Sequence, residues 1–302
     1  MKKISWITHS QYDIPLPTNH RFTSSKFSDL YKELRTKDFY KNVKILKPNK
    51  ASVEDLEIVH DNEYILKVKN GTLSEKEIRR LGFNWSETLS NRSFIAVNGT
   101  LLTCKEALNN NIACHLAGGT HHAHKDYGAG YCVMNDLAYA SKTLIKNNIV
   151  NKILILDLDV HQGDGTAKIL KNDKNIFTCS IHCKNNFPFR KQKSDLDVEL
   201  EDNINDEEYL LVLNKTLDTC VKNYKPDFVI YDAGVDVHEN DKLGNLKLTS
   251  TGILKRDKKV ISFFKNKSIP IATVIGGGYS DDNIELAKRH SIIFQAVDEI
   301  FN

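Results

Sequence analysis

The chain of 302 residues carries 42 basic against 39 acidic residues, a net charge of +3, and 40% of it is hydrophobic. That hydrophobic share supports a large buried core and excludes a disordered chain, while the near balance of charge gives no global attraction to nucleic acid or to an anionic membrane. No stretch approaches the roughly 20 apolar residues of a membrane span.

The start, MKKISWITHSQYDIP, is basic but has no uninterrupted apolar run, so it predicts a first strand at Ile4–Thr8 rather than a leader peptide. Helices are predicted over Phe27–Leu34 and Val53–Lys69, and Lys41, Lys44, Lys47 and Lys50 read as a solvated surface. Further strands are predicted at Ile112–Leu116, Ile153–Leu156, Phe177–Ile181, Phe228–Tyr231 and Ile271–Ile275. These runs are continuous rather than alternating, as parallel strands covered on both faces require. Amphipathic helices are predicted over Asn135–Asn147, over Glu207–Lys222 behind Asn205 and Asp206, and over Thr251–Lys265 behind Thr249 or Ser250. Strand, helix, strand in repetition gives one open, mostly parallel α/β sheet. No repeat, low-complexity stretch or linker divides the chain, so residues 1–302 read as one catalytic domain. Cys104, Cys114, Cys132, Cys179, Cys183 and Cys220 are scattered without a CxxC pair, several in apolar runs, and are expected as buried, reduced thiols of a cytoplasmic protein.

Four of the predicted strands end in unusual polar or glycine-rich sequences: IACHLAGGTHHAH, ILILDLDVHQGDG, FVIYDAGVDVH and IATVIGGGY. Ligands of open parallel sheets bind beyond the carboxyl ends of the strands, so these four segments are expected around one crevice. In LDLDVHQG, Asp157, Asp159 and His161 lie at i, i+2 and i+4, on one face of an extended strand with a rise of roughly 6.6 Å per step. Asp159 and His161 can bend toward one ion, and Asp236 from another strand end completes a three-ligand site. Two carboxylates and an imidazole balance a divalent cation and leave room for water, which marks a catalytic site; zinc and iron(II) both suit that set. One of His121 and His122 can take a proton from a metal-bound water and return it to a leaving amine, with Asp157 and Asp164 available to orient the pair. Tyr279, after Gly276–Gly278, can donate to an oxyanion; the glycines lack the spacing of a phosphate loop.

Together, GGTHHAHKDYGAGYCVMND, ILDLDVHQGDGT, DAGVDVHENDKLGNLKLTSTGI and GGGY, in that order, resemble the zinc-dependent histone deacetylase family. The resemblance spans roughly Ile4 to Ile300 and looks closest to its class IV and bacterial members. It implies an arginase-like fold, a parallel sheet flanked by helices with the site at the carboxyl edge. It also implies that Asp159, His161 and Asp236 hold zinc and that His122 is the general base and acid. Asp157 would hydrogen-bond His121, Asp164 would hydrogen-bond His122, and Tyr279 would donate to the substrate carbonyl. Gly130 and Tyr131 match a Gly-Phe pair that lines an acyl-lysine tunnel, with tyrosine replacing the aromatic. A structural potassium ion is implied at Asp157, Asp159, His161 and Ser180, largely through backbone oxygens. The implied activity is hydrolysis of an acylated lysine in a protein or peptide, or of a similar small acylated amine. A ureohydrolase with two metals needs an aspartate where Gly163 stands. An acetylpolyamine amidohydrolase needs loop insertions for which 302 residues leave little room, and a non-catalytic binding relative would be expected to lack one of the residues named.

Overall fold

The continuous apolar runs become parallel strands, and the amphipathic stretches between them become the crossovers. The computed structural model describes residues 3–302. In chain order the elements are β1 (Ile4–Ile7), α1 (Lys26–Arg35), a 3-10 turn (Asp38–Asn42), β2 (Val43–Leu46), α2 (Val53–Leu56), α3 (Asn62–Asn70), α4 (Glu75–Leu81), α5 (Glu87–Asn110) and β3 (Ile112–His115). There follow α6 (Asp136–Lys146), β4 (Ile153–Asp157), α7 (Asp164–Ile169), β5 (Ile176–Cys183), β6 (Leu196–Leu200), α8 (Asp206–Tyr224), β7 (Phe228–Asp232), α9 (Ser250–Asn266), β8 (Ile271–Val274) and α10 (Asn283–Phe301).

The strands form one eight-stranded sheet in the order β2-β1-β3-β8-β7-β4-β5-β6, parallel throughout. Strands β3, β4, β7 and β8 are buried along their whole length. The chain lays down β3, crosses to β4–β6, then returns to insert β7 and β8 between β3 and β4. This return makes the four strands with polar ends neighbours at the centre of the sheet. The caps follow the predicted chemistry: Asn135, Asn205 and Thr249 each accept a backbone N–H of the helix they precede.

Three expectations are corrected. The helix predicted over Val53–Lys69 is two helices, α2 and α3. Ser52 and Asp55 form a capping box that starts α2, and the chain then turns over residues 57–61 so that buried His60 accepts the Asn135 N–H at 2.9 Å. Strands β2 and β6 were not expected, because VKIL and LDVEL are short edge strands whose outer faces carry charge. The long helices α5 and α10 were also missed; α5 is rich in Ser, Thr, Asn and Gly, and its helicity comes from burial against β1, β3 and β8. Lys41, Lys44, Lys47 and Lys50 are exposed, and the six cysteines are buried and free. Among the described residues no helix is long and apolar enough to cross a membrane.

Candidate active site

The site is built at the carboxyl ends of β3, β8, β7 and β4. From the end of β4, Asp159 and His161 meet Asp236, which follows β7: His161 Nδ1 lies 3.0 Å from Asp159 Oδ1 and 3.1 Å from Asp236 Oδ2. One ligand atom from each of the three falls within 4.8 Å of the others, and all three residues are buried. The carboxylates are held by main-chain donors of neighbouring segments. The Gly277 N–H donates to Asp159 Oδ2 at 2.7 Å and the Val160 N–H to Asp236 Oδ1 at 2.8 Å. Gly277 has to be glycine, since a Cβ there would lie 2.1 Å from Asp236 Oδ2 and 2.6 Å from Asp159 Oδ2. Burial and the charge of Asp159 push Asp236 up to about 7. Burial disfavours charge on His161, yet Asp159 and Asp236 outweigh it and raise His161 to about 10. Such a concentration of negative charge around one imidazole suits a divalent cation, and the donor set fits one.

Beside this trio stand His121 and His122. His121 Nδ1 is 2.8 Å from Asp157 Oδ2, and His122 Nδ1 is 2.6 Å from Asp164 Oδ1. The two rings meet Nε2 to Nε2 at 3.2 Å, so between them one donates and the other accepts. Their environments drive them apart. At His121 burial opposes charge, but Asp157 and Asp159 overcome it and hold the pKa well above the ordinary histidine range. At His122 burial, then the charge of His121, push the pKa down to about 4 against the pull of Asp164. The two rings are thus driven in opposite directions, His121 toward its charged form and His122 toward the free base.

Tyr279 lines the space above both histidines, and burial keeps its hydroxyl protonated, with a pKa well above the usual value. Its backbone N–H donates to Asp241 at 2.7 Å. Tyr131 takes a left-handed backbone angle (φ 66°), and its ring lies 5.9 Å from that of Tyr279 and 5.2 Å from that of Phe83. A cavity of about 300 Å3 runs between Gly130, Tyr131 and Phe187 down to His122, His161 and Tyr279.

The structure thus brings together all ten residues singled out in the sequence: His121, His122, Asp157, Asp164, Tyr279, Gly130, Tyr131, Asp159, His161 and Asp236. Sequence reasoning missed several others. Phe187 meets the His122 ring edge-on at 4.8 Å, opposite Tyr131; it lies in NNFPF, which has no polar pattern to flag it. His124 Nε2 is 3.0 Å from Asp164 Oδ2, so Asp164 holds two histidines. Arg256 is fully buried and donates to the carbonyls of Leu158, Ala233 and Gly234 while paired with Asp257 at 2.9 Å, tying together the ends of β4 and β7. Asp232 ends β7 with its carboxylate 3.9 Å from His121 Nδ1 and neither oxygen hydrogen-bonded to a described residue. Burial, then the charge of Asp157, raise its pKa well above the carboxylate range. Ser180, which the resemblance did single out for a potassium site, lies across the β4–β5 ladder from Asp157 and 2.9 Å from His182 Nδ1.

Comparison with known proteins agrees with this geometry. The histone deacetylase domain profile matches residues 20–293. The chain is 42% identical over 295 residues to an uncharacterized protein of Picosynechococcus sp., covering 98% of each. It is 30% identical over 312 residues to histone deacetylase 2 of Arabidopsis thaliana, covering 97% of this chain and 81% of that one. It is also 30% identical over 227 residues to the acetoin utilization protein AcuC of Staphylococcus aureus, covering 68% of this chain and 58% of that one. The solved structure of a histone deacetylase homologue from Aquifex aeolicus superposes with a TM-score of 0.81 at 23% identity, over 98% of this chain and 84% of that one; the fold is the same. The chain belongs to the histone deacetylase family and is a hydrolase of that family.

Proposed function

We propose that this protein is a zinc-dependent deacylase that hydrolyses the amide of an acylated lysine, with Asp159, His161 and Asp236 as the metal ligands. The observation that carries the reading is the geometry of the site: His121 and His122, each held at Nδ1 by a buried carboxylate, stand beside a buried trio fit for a divalent cation. A cation there supplies a Lewis acid for the amide carbonyl and water acidified toward neutrality; zinc and iron(II) both match the ligands. His122, oriented by Asp164, exchanges its Nε2 contact with His121 for the attacking water, takes the proton there and passes it to the departing amine. His121, kept charged by Asp157, stabilises the negative charge that develops nearby. The Tyr279 hydroxyl donates to the carbonyl oxygen as it becomes an oxyanion, a contribution of about 3 kcal/mol in comparable sites. Tyr131 and Phe187 flank the lysine stem. A potassium ion at the main-chain oxygens of Asp157, Asp159 and His161, with Ser180, belongs to the same reading.

The inner cavity supports a short acyl group. Lined by buried Lys26 and Arg92, by Gly118, Gly119 and Gly276, and by His121, it has room of only about 30 Å3, enough for one or two waters. An acetyl methyl fits there and a long chain does not. The test is hydrolysis of fluorogenic acetyl-, butyryl- and octanoyl-lysine peptides, with and without a chelator. Chelator-sensitive turnover is expected, fastest for acetyl, and nearly abolished in pure, folded Tyr279→Phe and His122→Ala. Turnover indifferent to the chelator, or near-normal in either variant, contradicts the assignment, and a preference for octanoyl contradicts the acyl reading.

A further inference from the structure

The mouth of the tunnel carries charge for which the hydrolytic chemistry has no use. The cavity that has buried His122, His161 and Tyr279 at its floor has Arg21, Arg79 and Arg80 at its rim, and no carboxylate lines it. The three arginines are exposed and come from separate segments, the loop before α1 and the last turn of α4. Arg79 is paired with Glu75 at 3.4 Å, and the Arg80 guanidinium lies 4.1 Å from the Tyr127 ring centre. Among the described residues neither Arg21 nor Arg80 has an ion-pair partner. Across the mouth, Phe187 belongs to the segment KNNFPFRKQK, residues 184–193, which holds no acidic residue and, besides Lys184 paired with Glu201, carries Arg190, Lys191 and Lys193. Lys191 braces that loop by donating to the carbonyls of Lys184, Asn186 and Pro188, whereas Arg190 and Lys193 face solvent. Two residues beyond Phe187, Phe189 is 93% exposed.

The whole chain has a net charge of only +3, so this concentration of base at one opening is not an overall surplus. A cleft lined by one sign of charge raises the local concentration of the opposite sign. We infer that, given the deacylase reading, the substrate is an acidic polypeptide, an acyl-lysine flanked by Asp or Glu whose carboxylates meet Arg21 and Arg80. With the acyl-lysine stem in the tunnel, the α-carbon sits at the mouth and the flanking side chains lie level with the arginines. Phe189 offers an apolar contact to a polypeptide that a single amino acid has no side chain to fill. An acylated polyamine, cationic along its length, meets like charge.

The experiment compares kcat/KM of the metal-loaded enzyme on three acetyl-lysine peptides with acidic, neutral or basic flanks, at low and high salt. Further arms are free Nε-acetyl-lysine and sedimentation with phosphatidylserine vesicles. The acidic peptide is expected to lead the basic one by roughly five- to tenfold at low salt through KM, a gap that salt narrows. The double variant Arg21→Gln/Arg80→Gln is expected to bring the acidic peptide down to the neutral one, while Lys44→Gln/Lys47→Gln, a charge-matched double change on and just beyond the edge strand β2, preserves the gap. Equal rates for the three peptides, a preference for the basic one, or a preference that survives in the double variant overturns the inference. So does vesicle binding without peptide preference, which makes the basic rim a membrane contact, or free acetyl-lysine turned over as well as the acidic peptide. If the neutral peptide is not hydrolysed at all, the deacylase reading fails and this inference falls with it.

Discussion

Asp164 offers the sharpest test of the histidine chemistry. Its two oxygens hold two rings, His122 Nδ1 at 2.6 Å and His124 Nε2 at 3.0 Å, and these contacts outweigh its burial and keep the carboxyl well below the usual carboxylate range. Asp164→Asn keeps the shape and removes the charge, so the amide can accept from only one of the two rings and presents its NH2 to the other. A hydrogen bond to a charged group contributes about 1.5–3 kcal/mol, so kcat is expected to fall roughly 10- to 150-fold. KM should change little, because Asp164 contacts the base and not the substrate. The pH dependence adds a second reading. Asp164 raises the pKa of His122, so its loss moves that pKa further below about 4, and the ring remains neutral at pH 7. The deficit should therefore be flat from pH 6 to pH 8, since it reflects basicity and orientation and not a change of protonation state. His124→Ala, which frees only the second oxygen, is expected to cost less than about tenfold. Steady-state kinetics on the acetyl-lysine peptide decide the matter. A kcat unchanged in Asp164→Asn, or a loss confined to KM, would refute the role of His122 as base.

His60, pushed down to about 4 mainly by burial, ties stability to pH. Between pH 4 and 6.5 the unfolded chain binds a proton there that the folded chain does not, so stability falls as pH drops through that window, by about 2 kcal/mol at pH 5. Urea unfolding of wild type and His60→Gln at pH 7 and pH 5, both with chelator, should show the smaller loss in the variant; identical losses would exclude the mechanism. Metal removal should lower the melting temperature as well as activity, because a cation at one hundred times its Kd stabilises the folded state by about 2.7 kcal/mol. Readdition of zinc should restore both, and a melting temperature indifferent to chelation and reloading would disprove tight binding. Asp232→Asn should leave kcat within about threefold and stability within about 1 kcal/mol, because burial and the charge of Asp157 already push this carboxyl toward its neutral form. A loss above tenfold in kinetics at pH 7 would mean that a charged Asp232 acts on His121.

The parts of the fold legible in the sequence were those whose pattern is set by burial on both faces. ILILD and FVIYD can hardly be anything but central parallel strands, and Asn205 and Thr249 announce their helices by chemistry local to the cap. Strand β6 could not be read in the same way, because LDVEL at the sheet edge is short, alternates apolar with acidic residues and lacks the continuous apolar run of the central strands. Helix α5 hid for the opposite reason: its residues are poor helix formers, and only the sheet it covers makes the helix favourable. The site divides along the same line. Asp159, His161 and the His121–His122 pair stand in tight clusters whose residue types and spacing alone point to metal and proton chemistry. Phe187, Asp232 and Arg256 act through neighbours distant in sequence, and nothing within a few residues of them reveals those neighbours.

Gly163 shows how far local reading can reach when chemistry is the question. Its missing side chain removes a ligand that a second metal would use, and the structure supplies a steric reason why no side chain stands there. A Cβ at that position would lie 2.4 Å from Asp157 Oδ2 and 3.1 Å from the His121 Cβ. The volume that a second carboxylate would need is already taken by the contact that orients His121. A side chain at position 163 and a carboxylate-oriented His121 therefore compete for one space, and this chain has the carboxylate. The same economy governs Gly277, where the backbone N–H reaches Asp159 only because no side chain stands between the Asp159 and Asp236 carboxylates. Arg256 then holds the strand ends that carry those carboxylates from below, through three carbonyls. Because Asp159, His161 and Asp236 are positioned by main-chain amides and by a buried guanidinium, and not only by each other, the geometry of the trio belongs to the sheet. A substitution at Arg256 should thus disturb metal affinity without touching a ligand.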